Sequence, residues 1–143
     1  MSLQARQNLV SRLIFQKESQ REDLLDIHRT ETSLIALLLE VSRHFTLEIT
    51  AVRSDHRDDS ALGEHCHANG YCADVWPLRS STPGDWMDPT DHSFQLFLTI
   101  AAGAAWIHQI GLGGTADTGM NRLAAGVTCF EDGPEDHVHL GAQ

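Results

Sequence analysis

The feature that most constrains the fold is an apolar segment between Thr32 and Arg53. Its first part carries large aliphatic side chains at helical spacing, which predicts a helix over 33–44. These side chains belong to Leu34, Ile35, Leu37, Leu38, Leu39 and Val41. Its second part, LEITAVRS, alternates apolar and polar residues, which predicts a strand that ends near Arg53. A helix this apolar belongs in the core, so the domain combines a buried helix with a sheet.

The other predicted elements flank this segment. A helix over 3–15, capped by Ser2, and a short helical turn over 24–27 precede it. The elements predicted after it are a strand over 71–76, a helix over 91–109, a short strand or turn over 110–114, and strands over 126–130 and 137–140. Helices first, then strands interleaved with one more helix, predict an α+β domain with a small antiparallel sheet and helices packed on it. The length of 143 residues fits one domain over 1–143.

The charge and hydropathy of the chain exclude two classes of function. The formal net charge is −10, and no block of lysine or arginine occurs. Nucleic-acid binding depends on basic side chains that neutralise phosphates, so no nucleic-acid partner is expected. The longest apolar-rich stretch, Phe94 to Ile107, is too short and too interrupted to span a bilayer, so no integral membrane segment is expected.

The N-terminus and the cysteines bear on the compartment. The first fifteen residues lack the apolar core and cleavage site of a signal peptide, so we expect synthesis in the cytoplasm without one. Three cysteines, Cys66, Cys72 and Cys129, are an odd number, which leaves at least one unpaired. This count predicts no disulfide framework and favours a reducing compartment.

Histidines and acids concentrate in two polar segments. The histidines are His56, His65 and His67 in the first segment and His137 and His139 in the second. The acids beside them are Asp55, Asp58, Asp59, Glu64 and Asp74, then Asp132, Glu135 and Asp136. Imidazole nitrogens and carboxylate oxygens are the ligands of catalytic zinc sites, which use three protein ligands and one open position.

Local geometry allows these side chains to converge. Seven residues separate His67 from Asp74, which in one continuous strand would place them on opposite faces. Gly70 breaks that strand, so a histidine in the loop and an aspartate in the strand can turn to one point. A step of two residues places His137 and His139 on the same face of a strand, with Val138 and Leu140 facing the core. Strand geometry alone leaves both histidines as candidate ligands.

Two simpler interpretations compete with a shared metal site. An isolated His-x-His is commonly a pair of surface histidines, and one aspartate in an apolar strand is commonly a hydrogen-bonded polar group. The occurrence of two such segments, each beside a turn, favours the metal site. A local site made from His65, Cys66, His67 and Cys72 is the other arrangement, and its spacing fits no common zinc-ribbon or zinc-finger pattern.

The combined motifs resemble those of a known family. His-x-x-Gly-x-Ala-x-Asp, followed far downstream by His-x-His, is typical of the zinc D-alanyl-D-alanine carboxypeptidases and the phage L-alanyl-D-glutamate endopeptidases, which share their fold with the signalling domain of hedgehog proteins. The matching positions are His67, Gly70, Cys72, Asp74, Asp136, His137 and His139, with Cys72 where the family usually has alanine. The resemblance covers residues 32–140, and residues 1–31 would be an N-terminal helical extension. That extension could pack on the core or mediate self-association.

The resemblance implies roles for particular residues. His67, Asp74 and His139 correspond to the three zinc ligands, and Zn²⁺ is the implied cofactor. Asp136, three residues before the last ligand, corresponds to the general acid/base. His137 corresponds to the histidine beside the metal that helps to hold the tetrahedral intermediate. Arg53 corresponds to an arginine that contacts the substrate, although Arg57 lies close to it in sequence.

Two departures from the family pattern also occur. His65 stands where the family often has serine, and Val52 replaces the usual aromatic residue before the arginine.

The implied activity is zinc-dependent hydrolysis of peptide bonds in the stem peptides of bacterial peptidoglycan. Such an enzyme without a signal peptide would be a phage or prophage lysis enzyme released by a separate membrane pore, or a virion component that acts on the cell wall. D-Ala-D-Ala carboxypeptidase, dipeptidase and L-Ala-D-Glu endopeptidase activities remain open. Two other functions also remain: a zinc-binding module of the same fold without catalysis, and a 2-His-1-carboxylate iron oxygenase.

Overall fold

The computed structural model describes residues 2–55, 66–117 and 127–143, and the described parts contain four α-helices and six strands. The helices are α1 (Leu3–Val10), α2 (Glu18–Leu25), α3 (Thr32–Ser42) and α4 (His92–Ala102). The strands are β1 (Ile14–Phe15), β2 (Leu47–Ala51), β3 (Cys72–Pro77), β4 (Ile107–Gly113), β5 (Thr128–Glu131) and β6 (His137–Ala142). Short 3-10 helices follow β2 at Arg53–Asp55 and β4 at Gly114–Asp117.

The strands form one mixed sheet in the order β1-β2-β3-β6-β4-β5. The two outer pairs, β1 with β2 and β4 with β5, are parallel, and the three inner pairs are antiparallel. The predicted α+β class is therefore confirmed, whereas the prediction of a small, purely antiparallel sheet is wrong. The β1 edge escaped prediction because its two residues lie in a segment that carried a helical pattern. The β5 edge agrees with the strand predicted over 126–130, but its parallel pairing with β4 was not predicted.

The first edge of the sheet comes from the N-terminal region. The helix predicted over 3–15 begins as expected, with Ser2 Oγ accepting a hydrogen bond from Ala5 N, but ends at Val10. Ile14 and Phe15 then pair with β2 in parallel. Residues 16–23, which carry no apolar periodicity, form most of α2, which is instead fixed by buried contacts of Gln20, Asp23 and Leu24.

The helix predicted over 91–109 is shorter than expected. This helix ends at Ala102, and Gly103 is its C-cap. The following residues, from Ile107 onward, pair with β6 in an antiparallel ladder that is irregular between Ile107 and Gln109 and continuous from Gln109 to Gly113. The apolar stretch that looked helical is therefore the end of one helix and the start of a central strand.

One face of the sheet packs against the helices and forms the core. Val138 and Leu140 on β6 are fully buried there, as predicted, together with Ile110 on β4 and Val75 on β3. The helical side of the core is made by Leu34, Leu37, Leu38, Phe94, Phe97 and Leu98. The alternate residues of the same strands, including Asp74 and His139, face the other side of the sheet, where β3 and β6 place polar groups side by side.

Residues of the N-terminal region are part of this core. Leu9, Val10, Leu13 and Leu24 belong to the main cluster of buried apolar side chains. The alternative in which residues 1–31 pack on the core is the one that the structure favours. Among the described residues, none of the helices combines the length and the apolar character that a membrane span needs.

Candidate metal centre

Three side chains predicted as ligands meet on the polar face of the sheet. His67 Nε2 lies 3.3 Å from Asp74 Oδ1 and 3.2 Å from His139 Nδ1. Asp74 Oδ1 lies 3.2 Å from the same nitrogen of His139. The three residues are 5%, 6% and 3% exposed, so the three donor atoms form a nearly equilateral triangle that is shielded from bulk water.

The sheet register and one glycine produce this convergence. Asp74 on β3 is the direct cross-strand partner of His139 on β6. His67 reaches them from a tight turn in which Gly70 N donates to the carbonyl of His67 at 3.0 Å. Gly70 has φ +79°, and a Cβ at this position would collide with the carbonyl of Arg29. Only glycine combines this backbone conformation with such a close approach.

The donor set fits a tetrahedral cation. Ligand bonds of about 2.0–2.1 Å at tetrahedral angles separate donor atoms by about 3.3 Å, which agrees with the three separations of 3.2, 3.2 and 3.3 Å. Two imidazole nitrogens and one carboxylate oxygen suit zinc, and they also suit iron in a facial triad. The residues could therefore hold a metal ion.

The second nitrogen of His139 contacts a glutamine that the sequence did not indicate. Gln109 Nε2 lies 3.0 Å from His139 Nε2. If His139 Nδ1 binds a metal, its Nε2 carries the proton, and rotation of the Gln109 amide by half a turn would present an oxygen to it. Gln109 lies within the helix predicted over 91–109, so its position beside the site followed only from the register of β4 against β6.

Space for the His139 ring is provided by a glycine and an aromatic ring. Gly111 pairs with His139 across the strands, and a Cβ on this glycine would meet both the Phe130 ring and the Cβ of His139. The Phe130 ring stands edge-on to His139, with centroids 5.4 Å apart. The imidazole is therefore held between a backbone without a side chain and an apolar ring.

Asp132 and His137 form a second pair beside the triangle. His137 Nε2 lies 2.7 Å from Asp132 Oδ2, and His137 Nδ1 lies 2.8 Å from the carbonyl of Glu135. Burial lowers the pKa of His137, but the bond to Asp132 and the charge of Asp74 outweigh it and raise the pKa to about 9. The same hydrogen bond to His137 holds the pKa of Asp132 below its usual range. Asp132 Oδ2 also lies 3.7 Å from His139 Nδ1, so this acid approaches the predicted ligands closely.

Asp136, the predicted acid/base, lies at the rim of the same cleft. Its Oδ1 accepts hydrogen bonds from Thr115 N at 2.7 Å and from Thr115 Oγ1 at 2.9 Å. The cleft has a volume of about 460 Å³ and is lined by residues that include all three predicted ligands and Asp136. The structure thus places Asp136 on the same cavity as the triangle, with one carboxylate oxygen already engaged.

Arg53 faces another part of the surface. Its Nη1 donates to the carbonyl of His28 at 2.8 Å, and its side chain lines a separate cavity beside Asp26 and Arg29. The structure therefore does not bring Arg53 together with the other predicted site residues. Arg57 and His65 lie outside the described residues, as do His56, Asp58, Asp59 and Glu64.

The cysteines differ from the sequence-based expectation. Cys66 and Cys72 are joined by a disulfide, whereas the sequence had predicted no disulfide framework. Their pairing depends on the turn over 66–70, which brings two residues six positions apart to a Cα separation of 5.2 Å. Cys129 is the free and exposed cysteine, in agreement with the odd count.

No protein-family model, curated protein or solved structure matches the chain. The geometry of the cleft and the motif resemblance are therefore what bears on the function of the chain.

Proposed function

We propose that this chain is a zinc-dependent peptidase that hydrolyses peptide bonds in the stem peptides of bacterial peptidoglycan. The observation that carries the proposal is the buried triangle of His67, Asp74 and His139 at the base of a cleft whose rim holds Asp136. A metal site used only for stability is usually closed by four protein ligands, whereas a catalytic zinc site keeps one position open. Three ligands that open onto a cleft favour catalysis.

Zinc in such a site lowers the pKa of a bound water to about 7 and polarises a carbonyl oxygen. Asp136 would accept a proton from the attacking water and deliver it to the leaving amine. Its hydrogen bonds with Thr115 engage Oδ1 and fix the carboxylate, so Oδ2 is the oxygen that we assign to proton transfer. A carboxylate held by two donors loses little conformational entropy when the substrate binds.

His137 is the candidate for stabilising the oxyanion of the tetrahedral intermediate. Both of its ring nitrogens are engaged, one with Asp132 and one with the carbonyl of Glu135. It would donate to an oxyanion only if one of these bonds is exchanged when the substrate binds. Arg53 would contact the substrate only if the substrate extended to the separate cavity that this side chain lines.

Peptidoglycan is proposed as the substrate from the motif resemblance and from the dimensions of the cleft. A cleft of about 460 Å³ can take a few residues of an extended peptide. The bond that is cut, between D-Ala and D-Ala or between L-Ala and D-Glu, depends on the pocket around the scissile bond. A role as a phage or prophage lysis enzyme, or as a virion component, follows from the same resemblance.

The test is digestion of purified peptidoglycan by the disulfide form of the protein with one equivalent of zinc. Mass spectrometry of the released products should identify one new type of peptide terminus. Asp74→Asn should lose zinc and activity together. Intact peptidoglycan after prolonged digestion by zinc-loaded protein would contradict the proposal.

Two variants test the assignment of the acid/base. Asp136→Asn should retain zinc and lower kcat by at least about 100-fold, in line with loss of a general base. Asp132→Asn is the matched control, because Asp132 also lines the cleft but bonds His137. The opposite ranking of the two variants would move the role to Asp132. Unchanged biological function of Asp136→Asn would favour the zinc module without catalysis.

Metal analysis separates zinc from iron. Protein purified without added metal should contain zinc, because the triangle suits four-coordinate geometry. Iron in this sample, together with oxygen consumption, would support the oxygenase instead.

A further inference from the structure

The second nitrogen of His139 faces two sulfur atoms. Cys66 Sγ lies 3.6 Å from His139 Nε2, whereas the predicted zinc ligands lie near Nδ1 of the same ring. Donor atoms of Cys66, Cys72 and His139 all lie within 4.8 Å of one another. His139 thus stands between two possible ligand sets, with Nδ1 toward one and Nε2 toward the other.

An electropositive group already lies among these three donors. Gln109 Nε2 is 3.5 Å from Cys72 Sγ, 3.6 Å from Cys66 Sγ and 3.0 Å from His139 Nε2. The amide nitrogen of Gln109 therefore lies in the space between the three donors, where a cation bound by all three would also lie. Glutamine has three rotatable side-chain bonds, so this amide can move aside at modest cost.

We propose that reduction of the Cys66–Cys72 disulfide creates a second metal site, in which the two sulfurs and His139 Nε2 bind a thiophilic divalent cation such as zinc. A dithiol reductant supplies two electrons and two protons, its own thiols become a disulfide, and the Cys66–Cys72 bond becomes two thiols. Binding of the cation then displaces the two thiol protons to solvent. Two thiolates and one imidazole are a known zinc ligand set with one open position.

The burial of these residues is compatible with both reduction of the disulfide and binding of the cation. Cys72 is 1% exposed and His139 is 3% exposed, so the cation would bind in a site with little competing water. Cys66 is half-buried, which gives a reductant access to one sulfur of the disulfide. Two thiolates also neutralise a divalent cation completely, which a buried site requires.

The two sites exclude each other because they share one imidazole. A neutral imidazole has one nitrogen with a lone pair, so His139 binds a metal through Nδ1 or through Nε2. The disulfide form would therefore hold metal on His67 and Asp74, and the reduced form would transfer it to the cysteines. The inference uses the proposed centre only through His139, and it stands if the peptidase activity fails.

The experiment uses cobalt as a spectroscopic probe in the full chain. Asp74→Asn removes the carboxylate of the first site. This variant should bind little cobalt in the disulfide form. After reduction with a phosphine, it should bind one cobalt per chain with the intense near-ultraviolet absorption of thiolate-to-cobalt charge transfer. Adding Cys72→Ser to this variant should abolish that absorption.

Folding and site identity are controlled separately. The circular dichroism and unfolding temperature of reduced Asp74→Asn should match those of the reduced wild-type protein. His139→Ala in the Asp74→Asn background should weaken cobalt binding at least tenfold. If folded, reduced Asp74→Asn binds no cobalt, or binds it without the charge-transfer absorption, the proposal is overturned. Equal cobalt affinity with and without His139 also overturns it.

Discussion

His139 is the residue on which the polar face of the sheet depends. Its ring contacts His67 and Asp74 through one nitrogen and Gln109 through the other. The motif resemblance selected His67, Asp74 and His139 as a set, whereas residue spacing alone left His137 and His139 as alternatives. The sequence could not predict Gln109, because contacts between strands far apart in sequence are set by register.

Gly70→Ala tests the turn that carries His67. Alanine at φ +79° costs about 1–2 kcal/mol, and its Cβ would also collide with backbone at Arg29. We expect the free energy of unfolding to fall by more than that cost, together with a weaker zinc affinity. Denaturant unfolding and zinc titration measure both effects.

Gly84→Ala is the matched control for this prediction. Gly84 has φ +80°, but no atom lies within 4 Å of the position of its missing Cβ. It should therefore show the conformational cost alone, with zinc affinity unchanged. Equal destabilisation by the two substitutions would show that close approach at Gly70 is unimportant.

Gln109→Ala tests the partner of His139. Removing a group that orients a metal-binding histidine typically costs 10- to 100-fold in metal affinity. We expect a loss of about that size for zinc in the disulfide form. Isothermal titration with zinc measures it, and Gln95→Ala, at a half-buried glutamine of α4 that does not line the cleft, should leave the affinity unchanged. An unchanged affinity in Gln109→Ala would remove this residue from the site.

Among the secondary-structure elements, α1 is hydrogen-bonded to the end of α2 and to the connection between α2 and α3 through a buried arginine. Arg6 is 1% exposed, and its Nη1 donates to Leu24 O at 2.9 Å and to Thr30 Oγ1 at 2.7 Å. Its Nη2 donates to Thr30 O at 2.7 Å. The next residue, Glu31, donates its N–H to the carbonyl of Gly70 at 2.9 Å. The N-terminal helix is therefore linked to the turn of His67 by two sets of hydrogen bonds, from Arg6 to Thr30 and from Glu31 to Gly70.

Arg6→Met is expected to lower the free energy of unfolding by about 2–4 kcal/mol, because several buried carbonyl groups lose a charged donor. Part of the zinc affinity should be lost with it. Chemical denaturation measures the stability of Arg6→Met, and the control is Arg12→Met, which replaces an exposed arginine two residues beyond α1. A similar small effect of both substitutions would contradict the role of Arg6. A periodicity argument could not find this contact, because a single charged residue in an amphipathic helix normally faces water.

At the scale of the whole molecule, the local order of elements was easier to predict than their arrangement in space. The apolar stripe of α3 and the alternation of β2 identified a helix followed by a strand, because both patterns are local. The β1 edge of the sheet was missed, because Ile14 and Phe15 become a strand only by pairing with residues 48 and 49. The strand at the other edge was predicted over 126–130, but its parallel pairing with β4 joins residues that no local pattern relates. The disulfide was missed for a related reason, since the turn that joins Cys66 to Cys72 depends on packing of Gly70 against residues 29–31.

The response of the whole chain to acid depends on a carboxylate at the end of β2. Asp55, after β2, accepts hydrogen bonds from Lys17 Nζ at 2.7 Å and from Val52 N at 3.0 Å. Gln20 Nε2 donates to the same carboxylate at 3.2 Å. Burial raises the pKa of Asp55, but these hydrogen bonds outweigh burial and hold the pKa below its ordinary value. The ionised carboxylate therefore joins the N-terminal region to the end of β2.

A carboxyl group with a lowered pKa stabilises the fold above its unfolded pKa of about 3.9 and loses this effect as pH falls through the folded value. Asp55→Asn should lower the free energy of unfolding at neutral pH by about 1–3 kcal/mol. The deficit relative to wild type should shrink below about pH 4 and vanish once the native carboxyl is protonated. Urea unfolding across this pH range measures the deficit, and exposed Asp91→Asn should show little deficit at any pH. If the deficit of Asp55→Asn stays constant into acid, the charge of Asp55 contributes nothing to the difference in stability from wild type. The side chain would then act through its shape alone, and the prediction would be wrong.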